Sequence, residues 1–277
     1  MILIADSGST KTQWCVADRK KTVQQIFSTG INPYFQTSKE IRQDMEADLL
    51  PSIKGFDIEA VYFYGAGCTS PAKKQVIYDA LSLFLPASIE VYSDLTGAAR
   101  ALCRQQPGIA CILGTGSNSC LYNGRAIISN VSPLGYILGD EGSGAVLGRL
   151  LLSGCLKNQL PAHLIDKFMS QYNVTAEDVL ERVYRQPFPN RYLATLSRFL
   201  FENIHEPAIY ELVYKGFRSF FVRNVMQYAD FEAYPVHFTG SIAFYYQPVL
   251  RDAARSLSIH IERIELTPMP GLLAYHS

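Results

Sequence analysis

Short apolar runs separated by polar turns open the chain and predict strands before any helix. Runs at 1–5 and 13–17 are followed by a third strand-like stretch at 22–28, with Lys20-Lys21 as the turn before it. Apolar runs bounded by turn residues are typical of strands. The pattern therefore predicts an antiparallel sheet at the start of the chain.

Helical and strand patterns then alternate. A capping-box signature at 37–40 and the Ser70-Pro71 pair each predict a helix start, and 95–105 has helical spacing. The stretches 60–64 and 88–93 have the apolar character of buried strands. Three strands followed by alternating helix and strand predict one α/β unit.

The same order begins again after this first unit. Residues 109–122 read as strand, G-T-G-S-N-S, strand, and Asn123-Gly124 predicts a hairpin turn before a third strand at 125–131. This is an internal repeat of architecture. It predicts two domains, 1–107 and 108–277, with a hinge between packed units.

The second half also contains a long segment without a recognisable motif. A helix is predicted through Val146 and Leu150, and helical periodicity dominates 161–230, with a second capping box at Thr175–Asp178. The role of the 161–230 segment stays open. Three further elements are predicted: a strand at 236–239, a strand at 259–265 and a short closing helix at 268–275.

Composition and charge narrow the function classes. Hydrophobic residues make up 48% of the 277 residues and charged residues 18%, which indicates a globular chain. The net charge is zero, so no electrostatic footprint for nucleic acid or a membrane surface is expected, and an anionic ligand would need local geometry. The apolar run at 1–5 is too short for a signal peptide and no later run reaches membrane-spanning length, so a cytoplasmic protein is expected.

The six cysteines form no C-x-x-C pair and lie in apolar segments, which predicts small buried side chains in a reducing compartment. No histidine has metal-ligand spacing to a cysteine, so a zinc site is not expected. The cysteines are Cys15, Cys68, Cys103, Cys111, Cys120 and Cys155.

The turn between the first two strands, D-S-G-S-T-K-T, is a candidate phosphate cradle. Gly8 allows the backbone to approach an anion closely, and Lys11 supplies a positive charge. Asp6 is a candidate Mg²⁺ anchor. The candidate hydroxyl donors are Ser9, Thr10 and Thr12. An ordinary Ser/Gly hairpin turn is the alternative. The Walker A spacing is absent, so phosphate binding here would use a β-hairpin.

A second cradle candidate lies between the strands of the second half, at Gly114, Thr115, Gly116, Ser117 and Asn118. A lone G-T-G is usually only a turn, but its register with the first hairpin favours a function. Gly240-Ser241, at a strand-to-helix turn, suits contact with adenosine or phosphate, although such turns are also common without ligands.

Four acidic or amide residues complete the candidate site. Asp94 follows a strand and begins a helix, where it is either an N-cap or a general base. Asp140-Glu141 is either a polar pair for sugar hydroxyls or Mg²⁺, or a favourable charge at the start of the next helix. Asn32 is either a substrate contact or a turn residue.

Together these stretches resemble the N-acetylglucosamine kinases and the related BadF/BadG/BcrA/BcrD-type ATPases of the actin-like sugar-kinase superfamily. The resemblance covers nearly the whole chain and rests on the ordered set D-S-G-S-T-K-T, S-T-G-I-N, S-D-L-T-G-A-A-R-A, G-T-G-S-N-S, L-G-Y-I-L-G-D-E-G-S-G and F-T-G-S-I-A. It implies an α/β protein with a duplicated ribonuclease-H-like fold. Each of the two domains would have a mixed sheet flanked by helices, with a helical insertion in the second and the active site between them.

The resemblance also implies roles for individual residues. Asp6 to Thr12 would be the first phosphate motif, Gly114 to Ser117 the second, and Gly240-Ser241 the adenosine-side turn. Asp94 would be the catalytic base. The implied substrate-binding residues are Asn32, Asp94, Asn118, Gly135 and Asp140. Ser7 and Ser9 depart from the family, which often has Gly there.

The implied activity is ATP- and Mg²⁺-dependent phosphorylation of an amino sugar, with N-acetylglucosamine at its 6-hydroxyl as the leading substrate. N-acetylmuramate and glucosamine stay open. A sugar- or nucleotide-sensing protein is one alternative, and an ATPase that activates a partner enzyme is another. Related activators hold an iron–sulfur cluster between subunits, and Cys111 and Cys120 flank the second cradle only from the strands beside it. The expected partner is a small sugar, and the oligomeric state is not determined, with a homodimer as one option.

Overall fold

The computed structural model describes residues 1–8, 10–18 and 21–276. The chain divides into two compact units. Unit 1 comprises Met1–Ala110, Tyr122–Ile128 and Thr267–Ser277, and unit 2 comprises Cys111–Leu121 and Ser129–Leu266. The chain therefore enters and leaves each unit more than once.

The sheet of unit 1 has the strand order β3-β2-β1-β4-β5. The strands β1, β2 and β3 are antiparallel neighbours, while β4 runs parallel to β1 and β5 parallel to β4. The carboxyl ends of β1, β4 and β5 therefore share one edge, where open α/β sheets bind ligands. The bounds are β1 Ile2–Ser7, β2 Lys11–Asp18, β3 Lys21–Thr29, β4 Ala60–Gly65 and β5 Ser88–Ser93.

Helices pack on this sheet and begin at the predicted caps. Thr37 accepts the amide of Glu40 while the Glu40 carboxylate accepts the amide of Thr37, so the predicted capping box is confirmed. Ser70 caps the helix that starts at Pro71. The helices are α1 Ser38–Asp48, α2 Leu50–Ile53, α3 Pro71–Ser82 and α4 Asp94–Cys103.

The second sheet has the strand order β10-β9-β6-β7-β8. The bounds are β6 Pro107–Leu113, β7 Ser117–Asn123, β8 Ile127–Ser129, β9 Val236–Thr239 and β10 Ile261–Glu265. Read from β8 to β10, this order repeats the first sheet read from β3 to β5. The predicted repeat of architecture is confirmed.

Helices fill the long connection between β8 and β9, as the periodicity predicts. The capping box at Thr175–Asp178 is confirmed. The helices after β8 are α5 Gly135–Leu138, α6 Gly144–Leu156, α7 Ala162–Tyr172, α8 Ala176–Tyr184, α9 Pro189–Thr195, α10 Ser197–Glu202, α11 Pro207–Arg223, α12 Ser241–Tyr245, α13 Gln247–Arg255 and α14 Met269–Tyr275, with 3₁₀ turns at Val225–Gln227 and Phe231–Ala233.

Two predicted strands are shorter than expected: β10 spans Ile261–Glu265 of the predicted 259–265, and β8 differs more. The prediction was 125–131, whereas β8 spans only Ile127–Ser129. At its start, the Asn123 side chain accepts the amides of Arg125 and Ala126, and this turn delays the strand. At its end, Asn130 Nδ2 donates to Ser119 O at 2.7 Å, which takes the place of strand pairing.

The buried residues explain the elements and the cysteine pattern. In unit 1, Trp14 packs at 5.8 Å from Phe63 between ring centroids, in a core that α1 and α3 cover. All six cysteines are buried among apolar side chains, as predicted. Among the described residues, no group of three or more His, Cys, Asp or Glu side chains could hold a metal ion. Within the same part of the chain, no helix has both the length and the apolar character needed to cross a bilayer.

Candidate active site

Two carboxylates lie at the shared carboxyl edge of the first sheet. Asp6 is one residue from the end of β1, and Asp94 directly follows β5. Between them β4 ends in Gly65, which pairs with Ser7 and Ser93 in the parallel register. The two strands that carry the carboxylates are therefore separated by one strand, and the Asp94 charge raises the pKa of Asp6.

Asp94 is not the N-cap of α4, so the capping alternative is wrong. Ser93 is the cap, and its hydroxyl oxygen accepts the Thr96 amide at 3.2 Å. Asp94 is the first helical residue, where its Oδ1 accepts the Leu95 amide at 2.8 Å. Burial raises the pKa of Asp94, although the Leu95 amide and its own amide stabilise the anion.

The pKa of Asp6 is raised as well. Burial raises its pKa from 3.8 to about 7, the Asp94 charge adds to this, and Lys11 opposes it. A carboxylate that shares its surroundings with a second carboxylate and one ammonium group is short of positive charge. A divalent cation would supply that charge, so the donor chemistry at Asp6 fits Mg²⁺.

The burial of Asp6 follows from the sheet face on which it lies. Ile4 packs on that face with Tyr64, and side chains two residues apart in a strand share a face, so Asp6 lies there too. Tyr64 is the register partner of Asp6 in β4. Its hydroxyl accepts from Arg100 Nη1 at 2.9 Å and bonds His276 Nε2 at 2.7 Å. This packed layer lies on the same sheet face as Asp6, whose side chain is half-buried.

The first hairpin turn uses its polar residues in different ways. Gly8 N–H donates to Lys11 O at 3.0 Å and closes the turn. The Lys11 side chain extends over the Phe27 ring at 5.0 Å. Thr12 is buried, and its hydroxyl donates to Thr29 O at 3.0 Å and bonds Ser7 Oγ at 2.7 Å.

Thr12 therefore links the hairpin to β3, and its role as a phosphate donor stays a prediction. The Thr10 carbonyl accepts the Gly30 amide at 3.1 Å. The predicted Ser9 contact lies outside the described residues, as does Lys20 of the predicted turn. Ser7, where the family often has Gly, also receives the Ile31 amide at 3.1 Å, so its hydroxyl fastens the turn to the Asn32 loop.

Asn32 is a turn residue whose side chain lies beside the end of β4. Its Oδ1 accepts the Tyr34 amide at 3.0 Å. A Cβ at Gly67, which has φ +81°, would lie 2.4 Å from Asn32 Oδ1. Gly67 thus leaves the space that the Asn32 amide occupies. The turn reading of Asn32 is correct, and a contact with substrate through Nδ2 is compatible with it.

The second turn is closed by its own backbone and fastened to α6. Gly114 N–H donates to Gly116 O at 2.9 Å. The Gly114 and Thr115 carbonyls accept the Gly144 and Ala145 amides at 2.8 and 3.1 Å. The start of α6 therefore holds this turn in place. The spacing of the motifs along the chain does not reveal this contact.

Asp140 lies against the second turn, and Glu141 does not share its partners. Asp140 Oδ2 would be 3.0 Å from a Cβ at Gly116, so this position allows a close approach only to glycine. Burial raises the pKa of Asp140 to about 6, while the Ser117 amide opposes the shift and the Glu141 charge adds to it. Glu141 bonds Arg223 instead. The two acids therefore have different bonding partners and both precede Ser143, which caps α6, and their predicted roles toward sugar, Mg²⁺ or the helix start stay predictions.

Three further candidates of unit 2 are Asn118, Gly135 and Ser241, and their surroundings differ. Asn118 Oδ1 accepts from the Ser119 amide at 2.9 Å and from Asn130 Nδ2 at 3.0 Å. Gly135 begins α5 with φ +74° and has open space at its Cβ position. Ser241 is exposed at the start of α12. Their predicted ligand contacts stay predictions.

Gly240 sits where β9 approaches the end of β6. It has φ +114°, and a Cβ there would lie 2.3 Å from Leu113 O, next to the Gly114 turn. The predicted adenosine-side turn and the second phosphate turn are therefore neighbours in unit 2. Only glycine combines that φ with so close a backbone approach.

Gly240→Ala is expected to destabilise the protein through two separable effects. Gly55 has φ +98° with nothing within 4 Å of a Cβ, so Gly55→Ala reports the backbone cost alone, about 1–2 kcal/mol. Gly240→Ala adds the clash with Leu113 O, which should cost a further 1–3 kcal/mol or so. Urea unfolding of both variants measures the difference, and equal losses would contradict the close approach.

Comparison with known proteins identifies the family. The chain matches no protein-family model. A crystal structure from Porphyromonas gingivalis, of a candidate N-acetylglucosamine kinase, has 51% sequence identity and a TM-score of 0.97, covering 100% of this chain and 98% of that one. The chain belongs to the N-acetylglucosamine kinase family. The predicted resemblance and the enzyme class, an ATP-dependent sugar kinase acting on an amino sugar, are confirmed.

Two more distant proteins are also similar to this chain. The N-acetylmuramic acid/N-acetylglucosamine kinase of Clostridium acetobutylicum is 24% identical in a 208-residue alignment, which covers 70% of this chain and 67% of that protein. A ROK-family glucokinase from Streptomyces griseus, solved with glucose and AMPPNP, is 15% identical with a TM-score of 0.60, covering 99% of this chain and 97% of that one. This likeness concerns the fold, and it confirms the duplicated ribonuclease-H-like architecture.

Proposed function

We propose that this family member transfers the γ-phosphoryl group of ATP to the 6-hydroxyl of N-acetylglucosamine, with Asp94 as general base. The observation that carries the proposal is the environment of Asp94. Its carboxylate begins α4 without serving as the cap, has a raised pKa and lies at the carboxyl edge of the sheet. A base of raised pKa accepts a proton more readily than an ordinary aspartate does.

In this scheme the proton of the sugar hydroxyl moves to Asp94. The sugar 6-hydroxyl loses its proton to Asp94 Oδ2 as its oxygen attacks the γ-phosphorus, and the bond from that phosphorus to the bridging oxygen of ADP breaks. Asp94 Oδ1 already accepts the Leu95 amide, which holds the carboxylate in place. The base contributes about 10²- to 10⁴-fold, whereas positioning of the two substrates can supply roughly 7–11 kcal/mol.

Asp6 would hold the Mg²⁺ that accompanies ATP. The ion would neutralise charge that develops on the phosphate oxygens. Its charge would also lower the pKa of Asp6 and keep that carboxylate ionised. Asp6 in turn would orient the phosphates toward the sugar hydroxyl.

The two hairpin turns and Gly240-Ser241 would bind the nucleotide. In unit 1, Lys11 would offset phosphate charge beside the amide groups of the Gly8 turn. In unit 2, Gly114 to Ser117 would contact phosphate and Gly240-Ser241 the adenosine. The close packing of Gly240 on Leu113 supports assigning these two stretches to one ligand.

The sugar would be bound by amide and carboxylate side chains. Asn32 and Asn118 have side-chain oxygens already engaged by protein donors, so each would offer Nδ2 to a sugar oxygen. Asp140 would accept from sugar hydroxyls, and the Gly135 backbone would lie beside them. Asp94 would contact the hydroxyl that reacts.

Sugar-stimulated ADP release tests the proposal. Purified protein with Mg·ATP should release ADP when N-acetylglucosamine is added, and the panel includes glucosamine, N-acetylmuramate and glucose. The phosphorylated position is read by NMR of the product. Binding of sugar without turnover would favour a sensor instead, and sugar-independent ATP hydrolysis would favour an activator of a partner enzyme.

Lys11→Ala should weaken the use of ATP more than the use of sugar. The ammonium group is the cation that acts on Asp6, and losing a charge-assisted phosphate contact of about 1.5–3 kcal/mol should raise the ATP KM by about tenfold or more. The sugar KM should change little. Lys21→Ala is the matched control, because Lys21 begins β3 beside Asp18, at the opposite end of β2 from Lys11. An equal rise of the ATP KM and the sugar KM would argue against a role of Lys11 in phosphate binding.

A further inference from the structure

The loop that carries Asp140 places this residue, which has a side chain, in the left-handed region of the backbone. Asp140 has φ +52° and Gly142 has φ +71°, so two left-handed residues lie within three positions. Asp140 N–H donates to Pro133 O at 2.9 Å, and Ser143 N–H donates to Asp140 O at 3.0 Å. A left-handed aspartate persists where surrounding contacts hold it in place.

The helix α11 supplies the first of these contacts. A Cβ at Gly142 would lie 3.2 Å from Phe217 Cδ1 and 3.3 Å from Phe220 Cβ. Both phenylalanines are fully buried in the core of unit 2. The loop therefore packs directly on a rigid helix face.

The end of α11 supplies the second contact, and it is polar. Glu141 Oε1 lies 3.0 Å from Arg223 Nε, and Asn224 Nδ2 donates to Glu141 Oε2 at 3.2 Å. The Glu141 side chain is only 12% exposed, and Asn224 is buried. A carboxylate held on both oxygens has a restricted direction, and this restrains the Glu141 backbone that carries it, next to Asp140.

We propose that Arg223 is a positioning residue for the sugar site, which holds Asp140 in place through Glu141. The inference rests on the proposed role of Asp140 as a sugar contact. It gives the end of the 161–230 segment, which carries no sequence motif, a part in sugar recognition. Arg223 itself does not touch substrate in this scheme.

Steady-state kinetics of three variants test the inference. Arg223→Ala should raise the N-acetylglucosamine KM by about tenfold, because displacing a binding group by about 1 Å can cost up to 10²-fold, while the ATP KM changes little. Arg223→Lys should recover part of the loss. Lys215→Ala is the matched control, since it removes an exposed ion pair with Glu211 on the same helix and should leave both KM values unchanged.

A double variant shows whether Arg223 acts through Glu141. If it does, Glu141→Gln combined with Arg223→Ala should raise the sugar KM no more than the larger single effect. Additive effects would contradict that route. An unchanged sugar KM in Arg223→Ala would overturn the link to sugar recognition.

Hydrogen exchange provides a readout that does not depend on activity. Amides of residues 139–143 should exchange faster in Arg223→Ala than in Lys215→Ala or the unsubstituted protein. Equal exchange in all three would overturn the positioning role. If the unsubstituted protein released no ADP with any sugar, the proposed function would fail, and the exchange comparison would still decide whether Arg223 holds the loop.

Discussion

Replacing Asp94 with asparagine should lower kcat by about 10²- to 10⁴-fold, because the variant cannot take the proton of the sugar hydroxyl. The sugar KM and the sugar Kd should change far less. An asparagine Oδ1 can still accept the Leu95 amide, and Ser93 still caps α4, so the local backbone is preserved. Calorimetric titration with N-acetylglucosamine and initial rates with saturating Mg·ATP measure the two effects separately.

The control for this prediction is Asp48→Asn. Asp48 ends α1 on the exposed surface of the same unit, and the variant should have normal kcat. A near-normal kcat in Asp94→Asn would remove the general base from the mechanism. A parallel loss of sugar binding would instead assign Asp94 to binding alone.

Asp94 illustrates which features of the candidate site can be predicted from a single sequence and which cannot. The strand at 88–93 and the helix after it follow from local pattern, and they place a carboxylate at the sheet edge. Which residue caps the helix depends on one backbone conformation. Ser93 is extended, with φ −70° and ψ 154°, and so takes the cap, which leaves Asp94 inside the first turn. A shift of one residue therefore moves the cap from Asp94 to Ser93 and leaves Asp94 as a candidate for the general base.

The architecture was predictable because it depends on short-range order. Strand, turn, strand and capping signals are contained within a few residues, and their repetition after 108 implied a repeated sheet. The equal order of the two sheets bears this out. The boundaries were less accurate where a side chain replaced a strand bond, as Asn123 and Asn130 do around β8.

The contacts that hold the site residues in place could not be predicted, since they join residues far apart in the chain. Glu141 and Arg223 are paired across a segment that has only helical periodicity. Gly67 matters because Asn32 fills the space beside it. The serine at position 7 was a departure from the family, and its hydroxyl turns out to bond Thr12 and the Ile31 backbone. In each case the signal is a tertiary contact between distant segments.

The carboxylates that the proposed chemistry needs also affect stability. An acid whose pKa is higher in the folded state binds more protons there than in the unfolded chain, so folding is favoured at low pH. For Asp6 this contribution is fully present below pH 3.8 and is lost as the pH rises through about 7. Ionised Asp6 therefore destabilises the protein at neutral and alkaline pH, in the absence of Mg²⁺.

Asp6→Asn should consequently remove activity and raise stability together. The pKa change from 3.8 to about 7, at about 1.4 kcal/mol per pH unit, sets a gain in the free energy of unfolding of up to about 4 kcal/mol at pH 8 and almost none at pH 4. The loss of the attraction to Lys11 reduces this gain. Urea unfolding without Mg²⁺ at the two pH values measures it.

The activity of Asp6→Asn should fall because a neutral amide is a poor ligand for Mg²⁺. Stabilisation by added Mg·ATP should fall in parallel, since ligand binding stabilises only the form that binds it. Asp18→Asn is the control, because Asp18 is exposed at the far end of the same hairpin and should leave activity and its pH dependence unchanged. If Asp6→Asn were no more stable than the unsubstituted protein at pH 8, the carboxylate would already be well neutralised by its protein neighbours, and the reason for placing a cation beside it would disappear.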